Sequence, residues 1–234
     1  MIVEIWSDVM CPFCYIGKRK FEKALSEFKD AESIEVIWKS FQLAPDMETA
    51  PDKNIHQFLA NHKGISLDEA KDINNQVANR AAQVGLAFNF DKTIPANSFM
   101  AHRFAQYAKQ QGLQDLAEEG LFKAYFSEGK NIDDIDTLVA LGESIGLDPA
   151  QTKAILESEQ FANDVRHDIF EAQQIGVRGV PFFVFDRKLA VSGAQESSAF
   201  TEVLEKTFTE WNANNPPKMQ IIDGPSCEIG KDCN

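Results

Sequence analysis

Residues 2–6, Ile-Val-Glu-Ile-Trp, are apolar except for Glu4. The run is too short for a helix and rich in β-branched side chains, so it predicts a buried strand. From Tyr15 to Phe28 the apolar positions Ile16, Phe21, Leu25 and Phe28 recur with charges between them, which predicts a one-sided helix. Residues 33–43, SIEVIWKSFQL, alternate Ile34, Val36 and Trp38 and predict a second strand. A strand, a helix and a strand in that order predict two parallel strands joined by a crossover.

The pattern then changes period. Residues 54–176 read as almost wholly helical. Ser66 and Glu69 form a capping box ahead of Ile73, Val77, Ala81 and Val84, and Gly85 stops the run. Asn97 or Ser98 caps a helix carrying Phe99, Arg103, Phe104 and Tyr107 that ends near Gly112. Leu113–Phe126, a run marked by Ile135, Leu138, Val139 and Ile145, a start at Asp148-Pro149, and Phe161–Ile175 follow. Residues 180–186 and 188–194 are strands around an Asp186-Arg187 turn, hence an antiparallel hairpin. Glu196–Trp211 closes with an amphipathic helix. The expected fold class is therefore α/β, in the order βαβ, helical insertion, ββα. The α/β unit takes residues 1–53 and 177–211, the insertion 54–176, and an aperiodic tail 212–234.

Charge narrows the partners. With 23 Lys+Arg against 36 Asp+Glu the net charge is −13, which argues against nucleic acid and anionic membrane surfaces as ligands. No segment approaches the length of a transmembrane helix. The N-terminus lacks a basic region followed by an apolar run and cleavage site, which predicts a cytoplasmic protein if no leader precedes it. In that compartment four cysteines point to redox or metal chemistry rather than to a disulfide framework.

Cys11-Pro12-Phe13-Cys14 lies at the predicted junction of the first strand and helix. A helix starting at Cys11 or Pro12 would turn its positive end toward Cys11, favouring the thiolate and making Cys11 the attacking sulfur. Pro12 would sit where its missing amide costs nothing, and Cys14, one turn on, would resolve a mixed disulfide. Phe13 adds no charge, so an intermediate redox poise is expected. Two apolar core cysteines and half of a zinc site are the competing readings. The second fits poorly, because His56, His62, His102 and His167 are scattered without paired spacing and read as surface or helix-face residues. Pro181 heads a strand, where it cannot donate to the ladder. A cis Val180–Pro181 bond would present the Val180 backbone beside the dithiol; an ordinary turn proline is the plainer alternative.

The dithiol and Val180-Pro181 together are a thioredoxin-fold signature. SDVMCPFCYIGKRKFEKAL, NSFMAHRFAQYAKQQG, LFKAYFSEGKNI and GVRGVPFFVFDRKLAVSGAQ resemble the FrnE-type branch of the DsbA-like thioredoxin family over about residues 1–210. The resemblance implies a thioredoxin-like fold with a large helical insertion, an active-site pair Cys11/Cys14 and a cis Pro181. It implies thiol–disulfide oxidoreductase or disulfide isomerase activity on protein clients without a bound cofactor or metal. Pro12, Phe13, Val180 and Pro181 would then face the substrate, and a thioredoxin or glutathione system would recycle the enzyme. A sister branch, the hydroxychromene-carboxylate isomerases and kappa-class glutathione transferases, carries serine at the first position and uses glutathione; this chain has Cys11. In the family's geometry the helix after Asn97 faces the dithiol, which would place Asn97 and Ser98 in the cleft unless they only cap that helix. Cys227 and Cys233 resemble an additional C-terminal pair of some FrnE-type proteins. The expectation is a shuttle that exchanges with Cys11/Cys14 or shields it, in the same chain or in a homodimer; two exposed thiols or an idle local disulfide are the alternative. A non-catalytic chaperone using the helical insertion is the further alternative.

Overall fold

The computed structural model describes residues 1–215, so the expected Cys227/Cys233 pair lies outside the described residues. The chain opens with β1 (Ile2–Ser7), α1 (Pro12–Glu27) and β2 (Glu35–Ser40). Seven helices follow before the sheet resumes: α2 (Ile55–Lys63), α3 (Leu67–Ala82), α4 (Phe99–Gln110), α5 (Gln114–Phe126), α6 (Ile135–Ser144), α7 (Pro149–Leu156) and α8 (Ala162–Gln174). Then come β3 (Phe182–Phe185), β4 (Leu189–Ser192) and α9 (Ser197–Asn214). The sheet order is β2-β1-β3-β4. β1 and β2 are parallel, with Ile5 opposite Trp38, while β3 is antiparallel to both β1 and β4. This is the α/β order read from the periodicity, with the helices inserted between β2 and β3.

Alternation along β1 builds the two faces. Val3 and Ile5 point to one side, where Phe21 and Ala24 of α1 and Phe200 and Leu204 of α9 cover them with Phe183 and Phe185. Trp6 points to the other side and packs with Ala172, Val177 and Val184. Removing such side chains from water supplies most of the drive, about 2 kcal/mol for each fully buried large one. The inserted helices share another core, built on Phe104, Leu121, Phe122, Tyr125 and Phe126, and this core also encloses Cys11, Cys14, Tyr15 and Ile16. The N-terminal end of α1 is thus buried by the insertion, not by the sheet. No described helix is long and apolar enough to cross a membrane.

Several boundaries differ from expectation for local reasons. Residues 83–98 are not helical: Asn89 donates its amide to Phe126 O at 2.7 Å, and Pro95 O accepts from Ala50 N at 2.9 Å, so this segment spends its polar groups on tertiary bonds. The expected strands 180–186 and 188–194 shorten to β3 and β4. Pro181 has no amide for the ladder, and Asp186 and Arg187 both adopt left-handed backbones (φ 48° and 55°) that end it. The closing helix runs past Trp211 to Asn214. The capping box forms as expected, with Ser66 Oγ accepting from Glu69 N and Glu69 Oε2 accepting from Ser66 N at 2.8 Å.

Candidate active site

Between β1 and α1 the chain turns tightly. The Cys11 amide donates to Asp8 O at 2.9 Å and the Cys14 amide to Cys11 O at 3.0 Å. Cys11 is the N-cap of α1, extended at φ −90° and ψ 111°, and no acidic residue occupies the first turn. Pro12 at the start of the helix removes an amide that would have lacked a partner, while the remaining free amides and the positive end of the helix lie beside Cys11. Both cysteines are free thiols; Cys11 retains 5% of its surface and Cys14 none. The Cys11 thiol donates to Val180 O across 3.6 Å, and Val180–Pro181 is cis. Gly17, in the second turn of α1, permits this approach, since a Cβ there would meet Pro181 Cγ at 3.0 Å. Phe13 is half-buried, with the Arg80 guanidinium of α3 6.0 Å over its ring.

A buried polar cluster lies beneath the dithiol. Burial pushes the Cys14 thiol well up from its ordinary pKa and the adjoining Cys11 thiol adds to this; the Asp8 amide and the Ser7 hydroxyl, which face the sulfur, pull the other way. Ser7 Oγ completes no hydrogen bond of ordinary geometry in this resting state. The Asp8 carboxylate is fully buried and accepts from Leu43 N at 2.7 Å and from Met10 N at 3.3 Å. Its Oδ1 lies 3.5 Å from Nε2 of His102 on α4, close enough for an ion pair and too long for a good hydrogen bond. Burial would lower the His102 pKa, but Asp8, then the Glu118 charge and the Phe41 carbonyl outweigh it and hold the pKa above its ordinary value. Glu118 on α5 is buried too, and that burial, against the opposing charges of His102 and Lys18, raises its carboxyl to about 7.

Lys18 of α1 closes the cluster. Its side chain is 2% exposed and its Nζ lies 3.1 Å from Glu119 and 3.4 Å from Asp115, both of α5, and also pairs with Glu22. Burial opposes its charge, but these carboxylates outweigh burial and raise its pKa. Among the described residues no three His, Cys, Asp or Glu side chains are placed to share a metal ion.

Cys11, Cys14, Pro12, Phe13, Val180 and Pro181 are thus brought to one locus. Asn97 is spent elsewhere: its Oδ1 accepts from Phe99 N at 2.9 Å and its Nδ2 donates to Met47 O at 2.8 Å. It borders an open pocket of about 570 Å³ shared with Arg103, Asp133 and Arg166, and no hydrogen bond links it to either cysteine. Ser98 Oγ is buried without a partner. His102, expected on the surface or on a helix face, lies on α4 but is not at the surface, since its ring is enclosed; its partner Asp8 stands far away in sequence, and only SD before the CPFC motif hinted at a polar floor. His56 is likewise buried, bonded to Asn74 at 2.8 Å.

Comparison with known proteins gives one consistent family. The DSBA-like thioredoxin domain matches residues 2–205. A probable DsbA oxidoreductase from Streptomyces coelicolor is 34% identical, with a TM-score of 0.84 over 98% of this chain and 97% of its own. The uncharacterized protein YwbO of Bacillus subtilis is 27% identical over 210 residues, covering 86% of this chain and 94% of YwbO. A 2-hydroxychromene-2-carboxylate isomerase, 18% identical with a TM-score of 0.66 over 93% of this chain and 100% of its own, shares the fold.

Proposed function

This chain belongs to the DSBA-like thioredoxin domain family, and we propose that it works there as a thiol–disulfide oxidoreductase of the FrnE type, exchanging disulfides of client proteins through Cys11 and Cys14. The observation that carries this reading is the placement of Cys11. It caps α1 at the positive helix end, keeps the little exposure the pair has, and lies 3.6 Å from the Val180 carbonyl. A client strand laid along Val180 would present its disulfide to Cys11 Sγ.

Reduction runs in two displacements. The Cys11 thiolate attacks one client sulfur, forming a mixed disulfide and expelling the other client sulfur as a thiolate. Cys14, as a thiolate, then attacks Cys11 Sγ, forming the Cys11–Cys14 disulfide and expelling the second client thiolate. The client gains two electrons and the two protons of the enzyme's thiols; oxidation is the reverse. Cys14 stays protonated at rest, which reserves the first attack for Cys11. Release of the mixed disulfide before resolution gives isomerisation. The setting that suits this chemistry is a reducing cytoplasm, with thioredoxin or glutathione restoring the dithiol.

Trapping tests the reading. The Cys14→Ala protein is expected to accumulate thiol-reversible mixed disulfides with client proteins on Cys11, and wild type is expected to reduce insulin disulfides without glutathione. Absence of trapped clients together with strict glutathione dependence would overturn it in favour of a glutathione-dependent isomerase or transferase, the activity class suggested by the likeness to the chromene-carboxylate isomerase.

A further inference from the structure

Beside the dithiol the surface carries a recess that the exchange chemistry itself does not use. It encloses about 250 Å³ and is lined by Phe13, Ile16 and Lys20 of α1, Arg80 at the end of α3, and Ala194 and Glu196 ahead of α9. Phe13 stands between the two cysteines, and Ala194 is held near the cis proline, since Gly193 N donates to Pro181 O at 2.8 Å. The recess thus shares walls with both parts of the exchange site. Its charges do not cancel. Lys20 is matched by Glu196 and also donates to the Ala194 carbonyl at 3.5 Å. Arg80 is exposed, with its guanidinium 6.0 Å over the Phe13 ring, and among the described residues it enters no ion pair and no side-chain hydrogen bond. The recess therefore keeps one net positive charge over an apolar floor. The place of Arg80 in the last turn of α3 suits the helix dipole, which accounts for a cation there but not for its setting over Phe13.

We propose that this recess is a specificity subsite that takes an acidic side chain, Asp or Glu, from the client residue next to the attacked cysteine. This rests on the oxidoreductase reading above and names a property of its clients. A residue adjoining the client cysteine has its Cα about 3.8 Å away, so its side chain reaches past Phe13 while the disulfide stays at Cys11. The methylenes cover Phe13 and Ile16, and the carboxylate meets the free N–H groups of Arg80, whose planar fork fits two oxygens at once. The ring beneath holds the guanidinium at the mouth. The two displacements are unchanged; the acidic residue speeds the first by holding the client in register. Because the guanidinium is exposed, the gain is that of a surface pair, about fivefold. A basic residue at the same position meets Arg80 with like charge and is disfavoured.

Short peptides test the subsite, each closed by one disulfide and differing only in Glu, Gln or Lys placed before or after one cysteine. Prereduced full-length protein is mixed with excess peptide, quenched in acid and alkylated, and the Cys11–Cys14 disulfide is counted by mass. Rates are divided by those of the same peptides with dithiothreitol, which removes differences intrinsic to each disulfide. Wild type is expected to react about fivefold faster with the Glu peptide than with the Gln peptide, and slowest with the Lys peptide. In Arg80→Gln the Glu-to-Gln ratio is expected to fall to about one, and in Arg80→Glu the Lys peptide becomes the fastest. Each ratio is taken within one protein, so a loss of folded fraction does not imitate the effect. Lys71→Gln removes the same charge about 14 Å further along α3 and is expected to keep the wild-type ratio. A ratio of one in wild type, a ratio that survives Arg80→Gln, or an equal fall in Lys71→Gln overturns the subsite. Glutathione disulfide offers the same carboxylate chemistry; an Arg80-dependent rate with it, and none among the peptides, overturns the client subsite in favour of glutathione. Wild type that reacts with none of the peptides would instead defeat the oxidoreductase reading itself.

Discussion

A single buried carboxyl, Glu118, ties the stability of this protein to pH. Its folded value of about 7 lies above the ordinary 4.5, so the folded state holds a proton that the unfolded chain releases. The stabilising contribution is therefore complete below about pH 4.5 and is lost as pH rises through about 7. From the size of that shift the loss is on the order of 3 kcal/mol. Glu118→Gln is expected to match wild type near pH 4.5 in urea unfolding and to exceed it increasingly up to pH 8; parallel stability curves for the two proteins would contradict the assignment. Residues like this mark the edge of what the sequence reveals. Cys11 and Cys14 could be read as a candidate pair because strand, motif and helix are contiguous. Asp8, His102 and Glu118 could not, because a buried charge looks like any surface charge until the helices that enclose it are placed. Gly17 was missed for the same reason, its close neighbour Pro181 being contributed by the far end of the fold.

Elements were legible where the code was local. Ser66 and Glu69 span a single turn, and their reciprocal bonds form as the spacing requires. The Asp186-Arg187 turn lies between two short apolar runs, and it closes β3 onto β4. What the periodicity did not show was how helices are joined. Lys18 reads as one of several charges on a solvated helix face, yet it is the buried clamp between α1 and α5. Lys18→Met leaves the largely exposed Asp115, and Glu119 with Arg19 still beside it, without this partner, and is expected to cost about 1–2 kcal/mol in chemical denaturation, less than a pair buried on both sides would. Lys153→Met of α7 provides the contrast. Its pairing with Glu157 spans 4.0 Å with both side chains more than half exposed, and its loss is expected to cost less than about 1 kcal/mol. Similar effects from the two substitutions would mean that α1 is held by its apolar face alone.

At the scale of the molecule, one residue of α8 ties the inserted helices to two strands of the sheet at once. Asp168 Oδ1 accepts from Lys39 Nζ at 2.9 Å, and its Oδ2 accepts from Ser40 N at 3.0 Å and from Gln106 Nε2 at 2.6 Å. Its carbonyl accepts from Trp6 Nε1 at 2.9 Å. β1, β2, α4 and α8 thus meet at one side chain and its backbone. This junction has functional weight, because the segments leaving β1 and entering β3 carry Cys11 and Val180, while α4 and α5 supply His102 and Glu118 behind Cys14. Asp168 offered no signal in the sequence; Phe161–Ile175 read only as a helix with an apolar stripe. Asp168→Ala would strand the Ser40 amide, take one of two acceptors from Gln106 and leave Lys39 to Glu171 and the more distant Glu4, at a cost of several kcal/mol. The expected result is more than a lower midpoint. In wild type, tryptophan fluorescence, which reports Trp6 and Trp38 in the sheet and Trp211 of α9 packed against it, and far-UV circular dichroism, dominated by the inserted helices, should give coincident unfolding curves. In Asp168→Ala the fluorescence transition should move to lower urea than the helical signal, because the sheet loses its bonds to α8 while the helices keep their own core. Curves that stay coincident at the wild-type midpoint would show that apolar packing couples the two parts without this residue.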